Sequence, residues 1–451
     1  MLESESKGIP FHARKSYHSA LRNPNFTVPT MNEPQHGTTR PNLESDGVRL
    51  YGATFWIAYL ANLLIVTANT LTFRFADFVV SLGGTAADTG FILGMGTGVS
   101  VLVRIWIGRV VDQTGPRTTW IASAATLAVS CLAFIPLHSL GPMIYLVRIM
   151  YACGIAGVFS CSVIHLCTDA PIERRAELIG TLGTSGFLGM IIGPQLGDWI
   201  FANDVIQPNR YFVMFVTSAA MDGLYLLLVA YLTRKSVRPA PHEPPPLMRM
   251  VVAYWPGTLV AVAMMMGMAQ TVPATFLTLF RDHKHLEGIG KFFFFYAPTA
   301  IFMRLAGRRW QEQLGRRTAT LIGLLSLTAS MLLYLIVDSG WDLAWPALAA
   351  GTGQALLFPA VTTLGAESFP ERYRATGITL ILSFVDVGGL CGAPTLGMII
   401  DRFGFVGMFL FAAVTLALVT VGFSVSSLCR ARRVSAQNEP EIATEEQLGE
   451  W

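Results

Sequence analysis

The sequence predicts an all-α membrane protein of twelve transmembrane helices, arranged as two pseudo-symmetric six-helix halves. Three observations predict it: a composition suited to lipid, a series of apolar runs long enough to span a bilayer, and an internal repeat at an offset of 200 residues. Of the 451 residues, 52% are hydrophobic and 14% charged, whereas a soluble domain carries roughly 25% charged residues. Lipid is therefore the solvent for most of the chain.

In chain order, residues 1–48 mix Pro, Asn, His, Ser and Arg without an apolar segment. They read as a disordered cytoplasmic tail and not as a secretory signal peptide. A spanning helix needs about 20 apolar residues. Such runs occur at 52–80, 89–108, 118–137, 142–165, 177–201 and 211–232, and again at 251–280, 291–306, 318–337, 343–366, 374–400 and 405–428. The eighth is short, and the first carries Arg74 and Asp77 at its outer end.

Between the sixth and seventh runs, residues 234–250 read RKSVRPAPHEPPPLMRM, a Pro-rich segment that cannot continue a helix. It divides the chain into halves at 49–233 and 251–428, followed by a tail at 429–451. With the N-terminus inside, 23 of the 32 Lys and Arg fall in the tails and inner loops and six at outer positions. The positive-inside rule then places both termini and the linker in the cytoplasm, and the expected location is the plasma (inner) membrane.

The repeat supports the division. Residues 104–118 (RIWIGRVVDQTGPRT) lie over 304–318 (RLAGRRWQEQLGRRT), with Arg104/Arg304, Arg109/Arg309, Gln113/Gln313, Gly115/Gly315, Arg117/Arg317 and Thr118/Thr318 identical. Asp112/Glu312 keeps the carboxylate, and Pro194-x-x-Gly197 lies over Pro394-x-x-Gly397. A duplicated six-helix unit explains several matches at one offset, and many secondary transporters are built this way.

The turn after the second run is Gly108-Arg-Val-Val-Asp112-Gln-Thr-Gly115-Pro-Arg117. Its glycines permit a tight turn, and a carboxylate there can meet a helix N-terminus or an arginine of the other half. The motif resembles the signature loop of the Major Facilitator Superfamily. Gly108, Asp112, Gly115 and Arg117 match that pattern, while Gln113 and Pro116 replace basic residues. Glu312, Gly315 and Arg317 echo it in the second half. A basic cytoplasmic turn without a gating role is the plainer reading.

In the fifth run, Gly186, Gly189, Gly193, Pro194 and Gly197 form a small-residue face with a kink. It resembles the fifth-helix motif of the superfamily's proton-driven antiporters, with Asp198 where a second glycine is usual. Small faces also serve packing alone, as they do for Gly90, Gly94 and Gly98 in the second run. Arg148, followed by Gly154 and Gly157, resembles the fourth-helix motif, with Ala152 in place of the first glycine. An intramembrane arginine faces a cavity or a partner.

Counting about 1.5 Å per residue puts Asn62, Asp222, Gln354 and Asp386 near mid-membrane, with Asn69, Arg148 and Gln270 further outward. The 200-residue offset sets Asp222 against Gly422 and Asp386 against Gly186, so the duplication requires neither acid. In the superfamily the sixth helix lies outside the cavity, so the resemblance favours Asn62, Gln354 and Asp386 over Asp222. Asn and Gln can equally tie helix to helix, and Asp386 can equally be a paired structural acid.

The resemblance implies a secondary active transporter that moves a small-molecule solute by alternating access, as proton-coupled efflux, with solute uptake by symport as the alternative. A carboxylate that binds a proton on one side and releases it when rehydrated on the other would couple the two flows. A membrane-embedded enzyme is disfavoured: His165 is the only histidine within the runs, and no HExxH or Ser/Lys nucleophile pattern occurs. A non-transporting sensor on the same scaffold would need larger tails. No cofactor or metal is indicated by six cysteines that include no CxxC pair, and no block of basic residues suits nucleic acid. The expected partners are solute, protons and lipid, and the expected state is a monomer.

Overall fold

The computed structural model describes residues 52–114, 116–169, 175–202, 209–235, 254–370 and 374–438. Side chains at 104–116, 163–169, 175–180, 235, 305–314, 374–376 and 430–438 lie outside that description. The expected tail at 1–48, nearly all of the 234–250 linker and the last thirteen residues of the expected 429–451 tail are outside the described residues.

The described residues contain helices and no strand. In order they are α1 (Ala53–Ser81), α2 (Ala86–Thr114), α3 (Pro116–Ala133), α4 (Pro142–Asp169), α5 (Arg175–Ala202) and α6 (Arg210–Leu232). Then come α7 (Thr258–His283), α8 (Gly290–Leu314), α9 (Arg316–Leu333) and α10 (Ala344–Glu367). A final run, Arg374–Asn438, breaks at Gly404 (φ 69°) into α11 (374–403) and α12 (405–438). Eight helical stretches among the described residues are long and apolar enough to cross a membrane, and one of the eight, Gly377–Cys429, contains parts of both α11 and α12.

Four boundaries differ from the sequence expectation by more than four residues, and one is the end of α12, which runs to Asn438 and not to 428, into the expected tail. The eighth helix is not short: α8 extends to Leu314, because residues 308–314 (RRWQEQL) are helix-compatible and carry it past Gly307 as far as Gly315. Gly315 has φ 81°, a left-handed conformation that glycine adopts without strain. For the same reason α2 continues past residue 108 to Thr114. In contrast, α7 starts at Thr258 and not at 251, since Pro256 and Gly257 (φ 63°) form a turn before it.

The buried apolar residues form two clusters. One draws on α1–α6, from Ala61 to Val229, and the other on residues 259–423, joined by Ala86 and Phe187. Two long helix pairs connect them: α2 lies along α11, and α5 along α8. Under the 200-residue offset these pairs are each other's counterparts. Glycines set their closeness, since a methyl at Gly90 would overlap the Ala393 carbonyl and one at Gly397 would overlap that of Ala86.

Candidate functional site

Helices α1, α2, α4, α7 and α11 enclose a cavity of about 250 Å³ lined by Asn69, Arg148, Gln270 and Asp386, with Phe75 and Thr275 among its other walls. Four of the seven polar candidates thus share one space. The three that helix counting placed further outward meet Asp386 there. Close packing positions Asp386: a methyl at Gly267 would overlap the Val385 carbonyl and one at Gly388 that of Met264, so α7 and α11 touch backbone to backbone. Beside Gln270, α7 is widened into a π-turn at Val272–Phe276, where Pro273 withholds a backbone donor.

Arg148 reaches the cavity from α4, its guanidinium carbon 4.8 Å from the ring centroids of both Phe75 and Tyr151. Its Nε and Nη1 are shielded from solvent and meet no hydrogen-bond acceptor. The Tyr151 hydroxyl donates to Asn69 Oδ1 at 3.0 Å and lies 3.1 Å from Thr72 Oγ1, so the polar groups nearest Arg148 are occupied with one another.

The other candidates sit elsewhere. Asn62, expected at the cavity, donates to Ser185 Oγ at 2.8 Å and to the Leu182 carbonyl at 3.3 Å, tying α1 to α5. Gln354 is half-buried on α10 and does not line the cavity. Asp222 on α6 is 1% exposed, accepts from Cys131 Sγ at 3.3 Å and is also absent from the cavity wall.

Of the loop motif, Gly115 is outside the described residues, as are the side chains of Asp112 and Glu312, and Gly108 lies in the same stretch of α2. Arg117 is exposed at the start of α3. Arg317, at its counterpart on α9, donates to Ser427 Oγ on α12 at 3.3 Å. The fifth-helix glycines pack against α1: Gly189 meets Val66 and Thr67, Gly193 meets Thr70, and the Thr70 hydroxyl donates to the Gly189 carbonyl at 3.0 Å. Pro194 lies within α5 and Pro394 within α11, where Pro394 packs on Gly94 of α2.

A charged cluster that the sequence reading did not assemble closes the opposite end from the signature loop. Arg74 pairs with Asp198 and, at 3.1 Å, with Asp77, while Arg281 of α7 reaches Asp77 at 3.3 Å. The Asp198 carboxylate also accepts from the backbone N–H groups of Ile289 and Gly290, and that of Asp401 from those of Ala86 and Ala87. A signal was present: each repeat follows its Pro-x-x-Gly with an acid, Asp198 at once and Asp401 one turn later. In the nearby loop the Lys291 ammonium holds the Glu287 carboxyl below its ordinary range.

A sequence model described as the Major Facilitator Superfamily matches residues 53–389 and 292–450. The chain belongs to this superfamily. Among curated members it resembles the class B tetracycline resistance protein of Escherichia coli, 23% identical over 337 residues that cover 67% of this chain and 76% of that protein. It also resembles the multidrug resistance protein MdtG of Salmonella paratyphi A, 24% identical over 397 residues, 83% of this chain and 95% of that one. Solved structures share the superfamily fold. The nucleoside transporter NupG aligns with a TM-score of 0.67 at 12% identity, over 83% of this chain and 99% of that chain. A D-xylose-proton symporter aligns with a TM-score of 0.65 at 14% identity, over 82% and 96%. With its apolar helices, this superfamily member is an integral, multi-pass membrane protein.

Proposed function

We propose that this superfamily member is a proton-coupled exporter of a small solute, working by alternating access in the plasma (inner) membrane with both termini cytoplasmic and twelve crossings. The carrying observation is the cavity shared by the two halves, with Arg148 and Asn69 from one and Gln270 and Asp386 from the other. A space whose walls belong to two separately packed bodies opens to either side as those bodies rock. Asp386 is the proposed proton carrier, because it is the carboxylate in that wall, whereas Asp222 lies outside it. The likeness to a tetracycline resistance protein and a multidrug resistance protein supports export as the direction. The halves at 49–233 and 251–428, joined by a cytoplasmic linker, are part of the same proposal.

The test is proton movement in liposomes loaded with a panel of drugs, sugars and organic acids. Export predicts that one class of solute drives proton flux in the opposite direction. Flux in the same direction as the solute would assign uptake by symport instead, and no solute-dependent flux with any class would reject proton coupling.

A further inference from the structure

The Arg148 guanidinium lines the cavity with two nitrogens, Nε and Nη1, that are shielded from solvent and meet no acceptor among the described residues. The Phe75 and Tyr151 rings at 4.8 Å hold the guanidinium in place but satisfy none of its donors in the plane. The nearest candidate acceptors are engaged: Asn69 Oδ1 takes the Tyr151 hydroxyl, and Thr72 Oγ1 donates to the Asn69 carbonyl at 2.7 Å. A buried cation in a membrane protein is expensive, and leaving its donors unmet adds to that cost. An acceptor on a solute, reaching these nitrogens as the cavity opens and closes, would supply the missing partner.

We propose that the transported solute carries a carboxylate and that Arg148 seats it, an inference that rests on reading this cavity as the solute site. A carboxylate fits the edge of one guanidinium in a two-pronged pair and brings a single charge. A phosphate monoester would bring nearly two, with one arginine among the described wall residues to meet them. Phe73, Phe75, Leu93 and Val385 supply apolar surface for the remainder of the molecule, and about 250 Å³ limits it to a small one.

The probes are benzoate, benzylamine and benzyl alcohol, alike in ring and size and differing in charge, titrated into the purified full chain while its melting temperature is followed. Benzoate is expected to raise the melting temperature, and the other two to leave it nearly unchanged. Arg148→Gln should weaken benzoate binding by about tenfold or more, and Arg148→Lys, which keeps the charge without the fork, by less. If Arg148→Gln fails to fold, Arg148→Lys and the three probes decide. No shift with benzoate, equal shifts with all three probes, or an unchanged benzoate affinity in a folded Arg148→Gln would overturn the proposal. The two readings fail separately. Normal transport of a neutral or cationic solute by Arg148→Gln would remove the carboxylate and keep transport, whereas benzoate bound through Arg148 with no solute moved in liposomes would do the reverse.

Discussion

The Asp198 carboxylate accepts from the backbone N–H of Gly290 at 2.6 Å, so an acid at the end of α5 caps the start of α8. The second half returns the contact, since Asp401 at the end of α11 accepts from Ala87 at 2.9 Å at the start of α2. The first N–H groups of a helix lack partners within it and carry its positive dipole end, so a carboxylate there stabilises the junction. The two caps are reciprocal across the halves and hold the same end of the bundle shut. Asp198 also bears the Arg74 ion pair, whereas Asp401 has the cap among its described contacts.

Removing the Asp198 charge is therefore expected to loosen that end. Asp198→Asn leaves Arg74 with one of its two carboxylates and should weaken the closed state by about 3 kcal/mol. Asp401→Asn should cost about 1 kcal/mol. Labelling of a thiol placed at Thr275, a buried residue of the cavity wall, reports the opening. Equal labelling rates in wild type and Asp198→Asn would show that the contact does not hold the gate.

Helix packing makes a second prediction. A methyl at Gly193 would overlap the Thr70 hydroxyl and the Thr67 carbonyl, whereas Gly223 on α6 has open space around it. Gly193→Ala should destabilise the protein by about 2 kcal/mol, since overpacking displaces backbone as well as side chains. Gly223→Ala should leave the melting temperature of purified protein unchanged or slightly higher. Similar melting of the two variants would mean that α1 and α5 are not closely packed.

Orientation is tested directly at Ser236 in the linker. The excess of Lys and Arg at inner positions predicts that it lies in the cytoplasm. A membrane-impermeant maleimide added to intact cells should leave a cysteine at that position unmodified until the membrane is permeabilised. Modification in intact cells would invert the topology.

Asp112 belongs to the signature loop, and its charge is expected to meet the opposite half when the inner side closes. Asp112→Asn should insert normally but transport several-fold more slowly, with Asp112→Glu closer to wild type. Transport by Asp112→Asn at the wild-type rate would remove the loop from the gating mechanism.

Much of this architecture was legible because apolar length and loop charge are properties of the chain itself. Run length located most helices to within a few residues, except where polar ends such as 308–314 and 429–438 stay helical beyond the lipid-compatible stretch and where Pro256 and Gly257 delay the start of α7. Depth along a helix was less informative than helix identity: Arg148 and Gln270, counted as outward, share a wall with Asp386, while mid-depth Asn62 is bonded to Ser185. Which face of a helix meets which neighbour depends on rotation about its axis, and apolar periodicity is weak when lipid and protein are both apolar. The Asp198 cap was half visible: an acid follows Pro-x-x-Gly in each repeat, but its partners are backbone N–H groups that no residue type marks.

The central claim is that Asp386 couples the proton to the solute, and reconstituted Asp386→Asn tests it most directly. An amide mimics the protonated acid but cannot release its proton. The variant should therefore bind solute and exchange it across the liposome membrane without energy input, yet show no accumulation when a pH gradient is imposed, while Asp222→Asn responds to the gradient as wild type does. A normal gradient response in Asp386→Asn would contradict the account, and lowered stability of that variant with coupling intact would assign Asp386 to assembly alone.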